Sequence, residues 1–297
     1  MKSQNFLFPS QMAEFSGKQV SQNNEGFDRA VFLGDDILAT SVVNGGHVIV
    51  WDLTPVRKSE LPVIINEIKC EDISCKMTKM THDKLAVGST EGVVVWNWRT
   101  NEIQDLKGHL DVVNSVAFMA KSRRLVSASE DQIIIWDLDR MKPRSRTSMD
   151  EILSLFPLPN DTLVVKLRES LKIWSPEEGV LFSYEYSYCV GFNLLRERNH
   201  MAFGSLNDII ILNYVTGELR KIETENGIED LVALPDGSFI CASEESIRVL
   251  DSEFRQKAEL RTTKGKLVSG TSELKFNFGI LVVIPDYMSD ALPTIWI

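Results

Sequence analysis

The chain is poor in the residues that covalent staples, reactive centres and membrane anchors require. Its 297 residues include four cysteines and four histidines. Cys70, Cys75, Cys189 and Cys241 show neither zinc-ligand spacing nor a paired framework, and Cys70 and Cys75 lie too far apart for a CxxC. They read as small apolar residues of a reduced environment. A chain of this length buries about three quarters of its unfolded surface, so it can fold without disulfides or metals. No apolar run approaches the roughly 20 residues of a membrane span. No cationic start leads into an apolar core of the signal-peptide kind. Asn160-Asp161-Thr162 fits a glycosylation acceptor but, without a secretion signal, reads as a turn. Cations are also in deficit: 32 Lys and Arg stand against 42 Asp and Glu, a net charge of −10. A nucleic-acid surface needs clustered cations, so none is expected. Phosphate-cradling glycine loops, the G-x-S-x-G elbow and H-E-x-x-H are missing. These absences point to an intracellular protein, cytoplasmic or nuclear, with no cofactor, no metal, no membrane contact and no direct nucleic-acid partner.

What is present is a repeat. A short apolar triplet, then Trp or Leu, then Asp or Asn, occurs at Val48-Ile49-Val50-Trp51-Asp52 and at Val93-Val94-Val95-Trp96-Asn97. It returns as Ile133-Ile134-Ile135-Trp136-Asp137 and, with Ser at the end, as Leu171-Lys172-Ile173-Trp174-Ser175. Leu replaces Trp in Ile209-Ile210-Ile211-Leu212-Asn213 and Ile247-Arg248-Val249-Leu250-Asp251, and the last copy is Thr294-Ile295-Trp296-Ile297. The anchors at 51, 96, 136, 174, 212, 250 and 296 are separated by 45, 40, 38, 38, 38 and 46 residues. Self-similarity at such a period signals a repeat architecture. Each period reads as strands: in the third, Val112 to Phe118, Leu125 to Ser129 and Ile133 to Asp137 are β-branched runs divided by polar turns. No period carries a sustained 3.6-residue pattern, which argues against helical solenoids.

The pattern resembles the WD40 β-propeller, whose blades are four-stranded antiparallel sheets around a central channel. The third copy carries the full signature, Gly108-His109 followed by Trp136-Asp137. The resemblance implies an all-β, seven-bladed propeller over residues 1–297. Its blades would lie at approximately 27–68, 69–107, 108–147, 148–186, 187–225, 226–263 and 264–297, with 1–26 as lead-in. The last copy ends at its third strand, so an N-terminal strand is expected to complete that blade, from Phe6-Leu7-Phe8 or from Phe15 to Val20. Such closure removes open sheet edges.

His109, Ser127 or Ser129, and Asp131 have the residue types of an acyl-transfer triad. The resemblance implies a structural role instead. In these blades a His, a strand hydroxyl, a hairpin Asp and the Trp form a hydrogen-bonded stack, here His109, Ser127 or Ser129, Asp131 and Trp136. Ser129 also has small counterparts at Ser89, Ser205 and Ser243, unlike a unique nucleophile. The expected protein is therefore not an enzyme. The periodic Trp51, Trp96, Trp136 and Trp174 read as buried packing anchors, whereas Trp98 breaks the period and is expected to be more exposed.

Binding should concentrate on loops of the rigid scaffold. In this family the hairpin between second and third strands shares a face with the connection between blades. The hairpins supply Glu91, Glu130-Asp131, Glu169, Asn207-Asp208 and Glu244-Glu245, and the connections add Glu71-Asp72, Asp111, Asp150-Glu151 and Glu229-Asp230. An acidic face of this kind would capture a basic peptide or Lys/Arg-rich protein segment. The expected role is a monomeric scaffold for other proteins, within a multi-subunit complex or as a peptide receptor. Trp96-Asn97-Trp98-Arg99 also resembles the Trp-Asp-x-Arg box of ubiquitin-ligase substrate receptors, which makes Trp98 and Arg99 secondary candidates. Arg140 to Ser148 reads as a basic loop.

Overall fold

A computed structural model describes residues 15–16, 27–42, 46–55, 62–69, 73–90, 92–186, 188–195, 199–206, 208–224, 228, 230–234, 237–242, 246–261, 271–277, 280–285 and 294–296. Phe6-Leu7-Phe8, Glu71, Asp72, Glu91, Asn207, Glu229, Ser243, Glu244 and Glu245 fall outside them. The described residues form an all-β propeller of four-stranded antiparallel blades. Blade three shows the plan: Ser115–Met119, Arg124–Ala128, Gln132–Asp137 and Lys142–Ser148 run in order from the channel to the rim. Blade one extends from Phe27–Phe32 to Val63–Lys69, and blade two from Ile73–Lys79 to Glu102–Lys107. Blade four extends from Ile152–Pro157 to Gly179–Glu185, blade five from Val190–Leu194 to Leu219–Glu223, and blade six from Asp230–Ala233 to Gln256–Arg261.

The expectation of seven blades needs correction. Six blades are each built from four strands consecutive in sequence. The remaining four-stranded sheet is a composite of both ends of the chain: Thr271–Asn277, Ile280–Pro285, Thr294–Trp296 and, on its outside, Phe15–Ser16. Phe15 pairs with Ile295 and Ser16 with Thr294. The inner strand of this sheet contacts the inner strands of blades one and six.

The two middle strands of a blade are covered on both faces, which is why they read as continuous apolar runs and not as alternating ones. Ile133, Ile134, Ile135 and Trp136 are all buried. The core lies between blades. Ala117, Met119, Val126 and Ile133 of blade three pack on Ile152, Leu155, Leu163, Val165 and Trp174 of blade four. Some outermost strands face solvent and lack that apolar signal. Lys142–Ser148 is such a strand: the stretch expected as a basic loop is the outer edge of blade three, mostly exposed.

The small polar residue after each anchor has a local cause. Asn97 Oδ1 accepts from the Arg99 and Thr100 amides, and Asp137 Oδ1 from those of Asp139 and Arg140. Ser175 Oγ, Asn213 Oδ1 and Asp251 Oδ1 do the same in blades four, five and six. Each side chain templates the turn into the outermost strand. That turn then needs a left-handed residue, supplied by Asn101, Met141, Gly179, Gly217 or Phe254. At Gly217 (φ 79°) a Cβ would also stand 2.7 Å from the Phe182 ring.

Candidate functional site

Antiparallel order puts the second-to-third hairpins and the connections between blades on one face. The stack of blade three anchors that face. Trp136 donates its indole N–H to Ser127 Oγ at 2.8 Å, and the same hydroxyl lies 2.7 Å from His109 Nε2. Ser127, Trp136 and His109 are all buried. Arg146 reaches from the outer strand to the Gly108 carbonyl at 2.6 Å and to Gln132 Oε1 at 2.8 Å, holding the His109 loop from outside.

The stack differs from the expected one at Asp131. Ser129 Oγ donates to Asp131 Oδ1 at 2.8 Å, and Asp131 is exposed at the hairpin tip. His109 Nδ1 finds no hydrogen-bond partner among the described residues. The stack is therefore Trp136–Ser127–His109, with Ser129–Asp131 as a separate hairpin brace. Burial lowers the His109 pKa from 6.5 to about 4, Arg146 pushes in the same direction, and Asp131 opposes them. His109 is thus neutral at pH 7. As a triad the arrangement lacks its orienting link, because the carboxylate serves Ser129, and the Ser127 hydroxyl already accepts from Trp136.

The rim candidates are partly neutralised. Arg168, on the blade-four hairpin, lies 3.8 Å from Glu130 and 3.5 Å from Glu151. Asp208 is half-buried, with Lys221 at 4.0 Å. Asp111, Asp150 and Glu169 are exposed. Leu110, on the loop carrying His109, is 98% exposed.

Trp98 is not exposed. It is only 5% exposed, donates its indole N–H to the His82 carbonyl at 2.9 Å and packs in the core between blades one and two. Periodicity missed it because a second indole is needed where blade two meets blade one. The Arg99 guanidinium lies 4.3 Å from the Trp98 ring centroid and pairs with Asp83. Trp51, Trp96, Trp136 and Trp174 are all buried.

Sequence reasoning overlooked the central channel. A cavity of about 570 Å³ there is lined by cationic Arg29, Lys76 and Lys166. Each sits within a strand otherwise read for apolar content; the signal was a lysine interrupting Leu163–Leu167. Lys166 Nζ donates to the Cys189 carbonyl at 2.6 Å and lies 6.0 Å from the Tyr188 ring centroid. Burial pushes the Lys166 pKa down, and Arg29 adds to the effect against an opposing contribution from Cys189. The Cys189 thiol is itself raised to about 11 by burial, with Lys166 pulling the other way.

Blades of this form around a channel define a β-propeller. The WD domain, G-beta repeat family matches residues 100–137, which include the Gly108-His109 loop and Trp136-Asp137. The repeat match and the blade arrangement together support a WD40-repeat propeller. The chain is also similar to a striatin homolog of Dictyostelium discoideum, 25% identical over 147 residues, which cover 48% of this chain and 17% of that protein. It is similar to an intraflagellar transport protein 122 homolog of Danio rerio, 29% identical over 132 residues, covering 42% of this chain and 11% of that protein.

Proposed function

We propose that this propeller is a non-catalytic, intracellular protein-interaction scaffold whose hairpin face receives a partner. One observation carries the reading. The blade-three stack fixes the loop from within and Arg146 braces it from outside, while Leu110 at its tip is 98% exposed beside exposed Asp111. An apolar anchor rimmed by charge on a rigid loop fits protein recognition. Similarity to the striatin homolog and to the intraflagellar transport protein supports a role within a multi-subunit complex. The finer reading is a basic segment, engaged by Asp111, Asp131, Asp150 and Glu169, with Glu91, Asp72, Glu244 and Glu245 as further candidates from the repeat. A peptide array of graded Lys/Arg content tests it. Charge reversal at Asp111, Glu169 and Glu91 should weaken the basic peptides and flatten their salt dependence, and unchanged binding would refute the finer reading. The Trp-Asp-x-Arg reading gains no comparable support, since Trp98 is interior and Arg99 is held by Asp83.

Ring closure belongs to the same proposal: the composite sheet of both chain ends closes the ring, sealed by the N-terminal strand. Deleting residues 1–20 should then lower the unfolding midpoint of the whole ring, measured by circular dichroism, and an unchanged midpoint would refute the closure.

A further inference from the structure

Indoles fill the junctions of the early blades: Trp96, Trp136 and Trp174 each belong to the core shared with the preceding blade. Blade five has Leu212 at that position, and the Phe192, Phe203, Tyr184 and Tyr186 rings fill its junction with blade four. Blade six has Leu250 there, and the rings at its junction with blade five, among the described residues, are Phe239 and Phe254. They stack with centroids 4.5 Å apart and planes 20° from parallel. Phe254 holds φ at 64°, the left-handed region that a bulky side chain rarely adopts; blades four and five place Gly179 and Gly217 at the equivalent turn. Two rings do not fill the space. A cavity of about 590 Å³ remains, walled by Ile211, Ala233 and Leu234 beside the two rings, and Leu194, 41% exposed, carries the wall to the surface. Leu234 and Gly237 belong to the turn between the first and second strands of blade six, and Ser252 to Phe254 to that between its third and fourth. The cavity therefore opens on the face opposite the second-to-third hairpins. On the hairpin face the same junction offers less charge than its sequence suggests, because Asp230 is buried, its Oδ1 accepting from the Leu231 amide. Two charged side chains line the cavity. Glu253 is engaged by Arg255, 3.1 Å away. Arg220, across the ladder from Ile211, is exposed, and no hydrogen bond or ion pair of the described residues engages its side chain.

We propose that this cavity is a second protein-binding site, which receives a large apolar side chain standing next to a carboxylate in an exposed segment of a partner. The volume of about 590 Å³ accommodates such a side chain, and burying it against the two rings and the aliphatic wall supplies the driving force. Charge complementarity chooses its neighbour. A guanidinium offers a planar fork of donors that matches a carboxylate, and Arg220 has that fork unspent. Glu253 does not take it, since Arg255 stands against that carboxylate. The chain as a whole carries a net charge of −10 and repels an acidic segment at a distance. Binding therefore needs both contacts at once, the buried side chain and the local fork.

This inference does not depend on a basic partner at the hairpin face and is tested apart from it. Fluorescence anisotropy of the full chain with a fluorescein-labelled Gly-Ser-Phe-Glu-Ser-Gly peptide reads the site, beside counterparts with Gln for Glu and with Ala for Phe. The Phe-Glu peptide should bind best. Its Ala counterpart should bind about tenfold more weakly or worse, the loss expected when one large apolar side chain is no longer buried. Arg220→Gln should weaken the Phe-Glu peptide about fivefold, as befits a partly exposed charged contact, and bring it level with the Phe-Gln peptide. Leu194→Trp narrows the cavity at the surface and should weaken both. Lys142→Gln removes the same charge from the outer strand of blade three and should change neither. No binding of the Phe-Glu peptide by the wild-type protein overturns the proposal, and so does failure to discriminate against either counterpart. Affinity unchanged in Arg220→Gln and Leu194→Trp variants of normal thermal stability overturns it as well. Basic peptides should bind Arg220→Gln as they bind the wild type, so the hairpin-face reading and this one fail separately.

Discussion

Blades three and five share one backbone plan and fill it by opposite means. In blade three Ser127 lies across from Ile134, and Trp136 from Leu125. In blade five the same register positions hold Phe203, opposite Ile210, and Leu212, opposite Met201. A small hydroxyl beside a large indole has been exchanged for a large ring beside a mid-sized aliphatic. The first pair is joined by a hydrogen bond that continues to His109. The second is embedded in rings: Phe203 lies 5.4 Å from Phe192 and 5.9 Å, edge-on, from Tyr186, and Phe192 lies 5.7 Å from Phe156 of blade four. At this pair the means of cohesion varies between blades. Blade one follows blade three, with Trp51 donating to Thr40 Oγ1 at 2.8 Å.

The comparison predicts unequal sensitivity. Phe203 is wholly buried, so Phe203→Ala removes most of a ring from a packed interface and should cost about 3–5 kcal/mol in denaturant unfolding. Ser127→Ala removes little volume but leaves the Trp136 N–H buried without its acceptor, at a cost of about 1–3 kcal/mol. If Ser127→Ala proved the costlier change, the polar stack, and not packing, would dominate the ring. A Ser127→Ala protein that also kept its near-ultraviolet Trp signal unchanged would show that the hydrogen bond does not orient the indole.

The same contrast explains what could be read in advance. The repeat survives in blades five and six because the apolar triplet and the turn residue persist after the Trp is lost: Asn213 and Asp251 still close their turns. The blade-three stack was legible through Gly108-His109 and Trp136-Asp137, but the bond from Ser129 to Asp131 was not. A hairpin carboxylate can turn to the strand hydroxyl or to the histidine, and only coordinates separate these. The outer strand Lys142–Ser148 has no strand signal in sequence, because that signal rests on burial and this strand has little. The channel cations were overlooked for a related reason: one Arg or Lys per blade is unremarkable in sequence and becomes a cluster only when the ring brings distant blades together. Rim carboxylates were located by spacing, while Arg168 between Glu130 and Glu151 emerges only from the curvature joining blades three and four.

A pH series separates the two kinds of blade. The folded value of His109, about 4, lies below its ordinary 6.5, so the unfolded chain takes up the proton first. The stabilisation linked to neutral His109 is fully present above about pH 6.5 and is lost as pH falls toward 4. Urea midpoints of the wild-type protein should fall across that window, and His109→Phe should flatten the fall. Phe203→Ala should lower every midpoint and keep the wild-type slope, because the ring cluster of blade five contains no group titrating there. A slope that survives His109→Phe would assign the transition to another residue.

The smallest expected effects are at the rim, where both blades carry exposed ion pairs. Arg168 faces Glu130 and Glu151 at 3.8 and 3.5 Å, and Lys221 faces Asp208 at 4.0 Å, all with substantial solvent contact. Exposed pairs contribute about 0–1 kcal/mol, since hydration and salt screening offset most of the attraction. Arg168→Ala and Lys221→Ala should therefore shift the unfolding midpoint little, and the shift should shrink further in 0.5 M salt. Their effect on binding should differ. Arg168→Ala frees two carboxylates at the junction of blades three and four, so a Lys/Arg-rich peptide should bind the variant more tightly at low salt. Lys221→Ala frees only one, half-buried, and should change binding less. Equal responses would mean that the hairpin face of blade three holds no special position on the rim, and a gain at Lys221 alone would move the basic-partner surface to blade five.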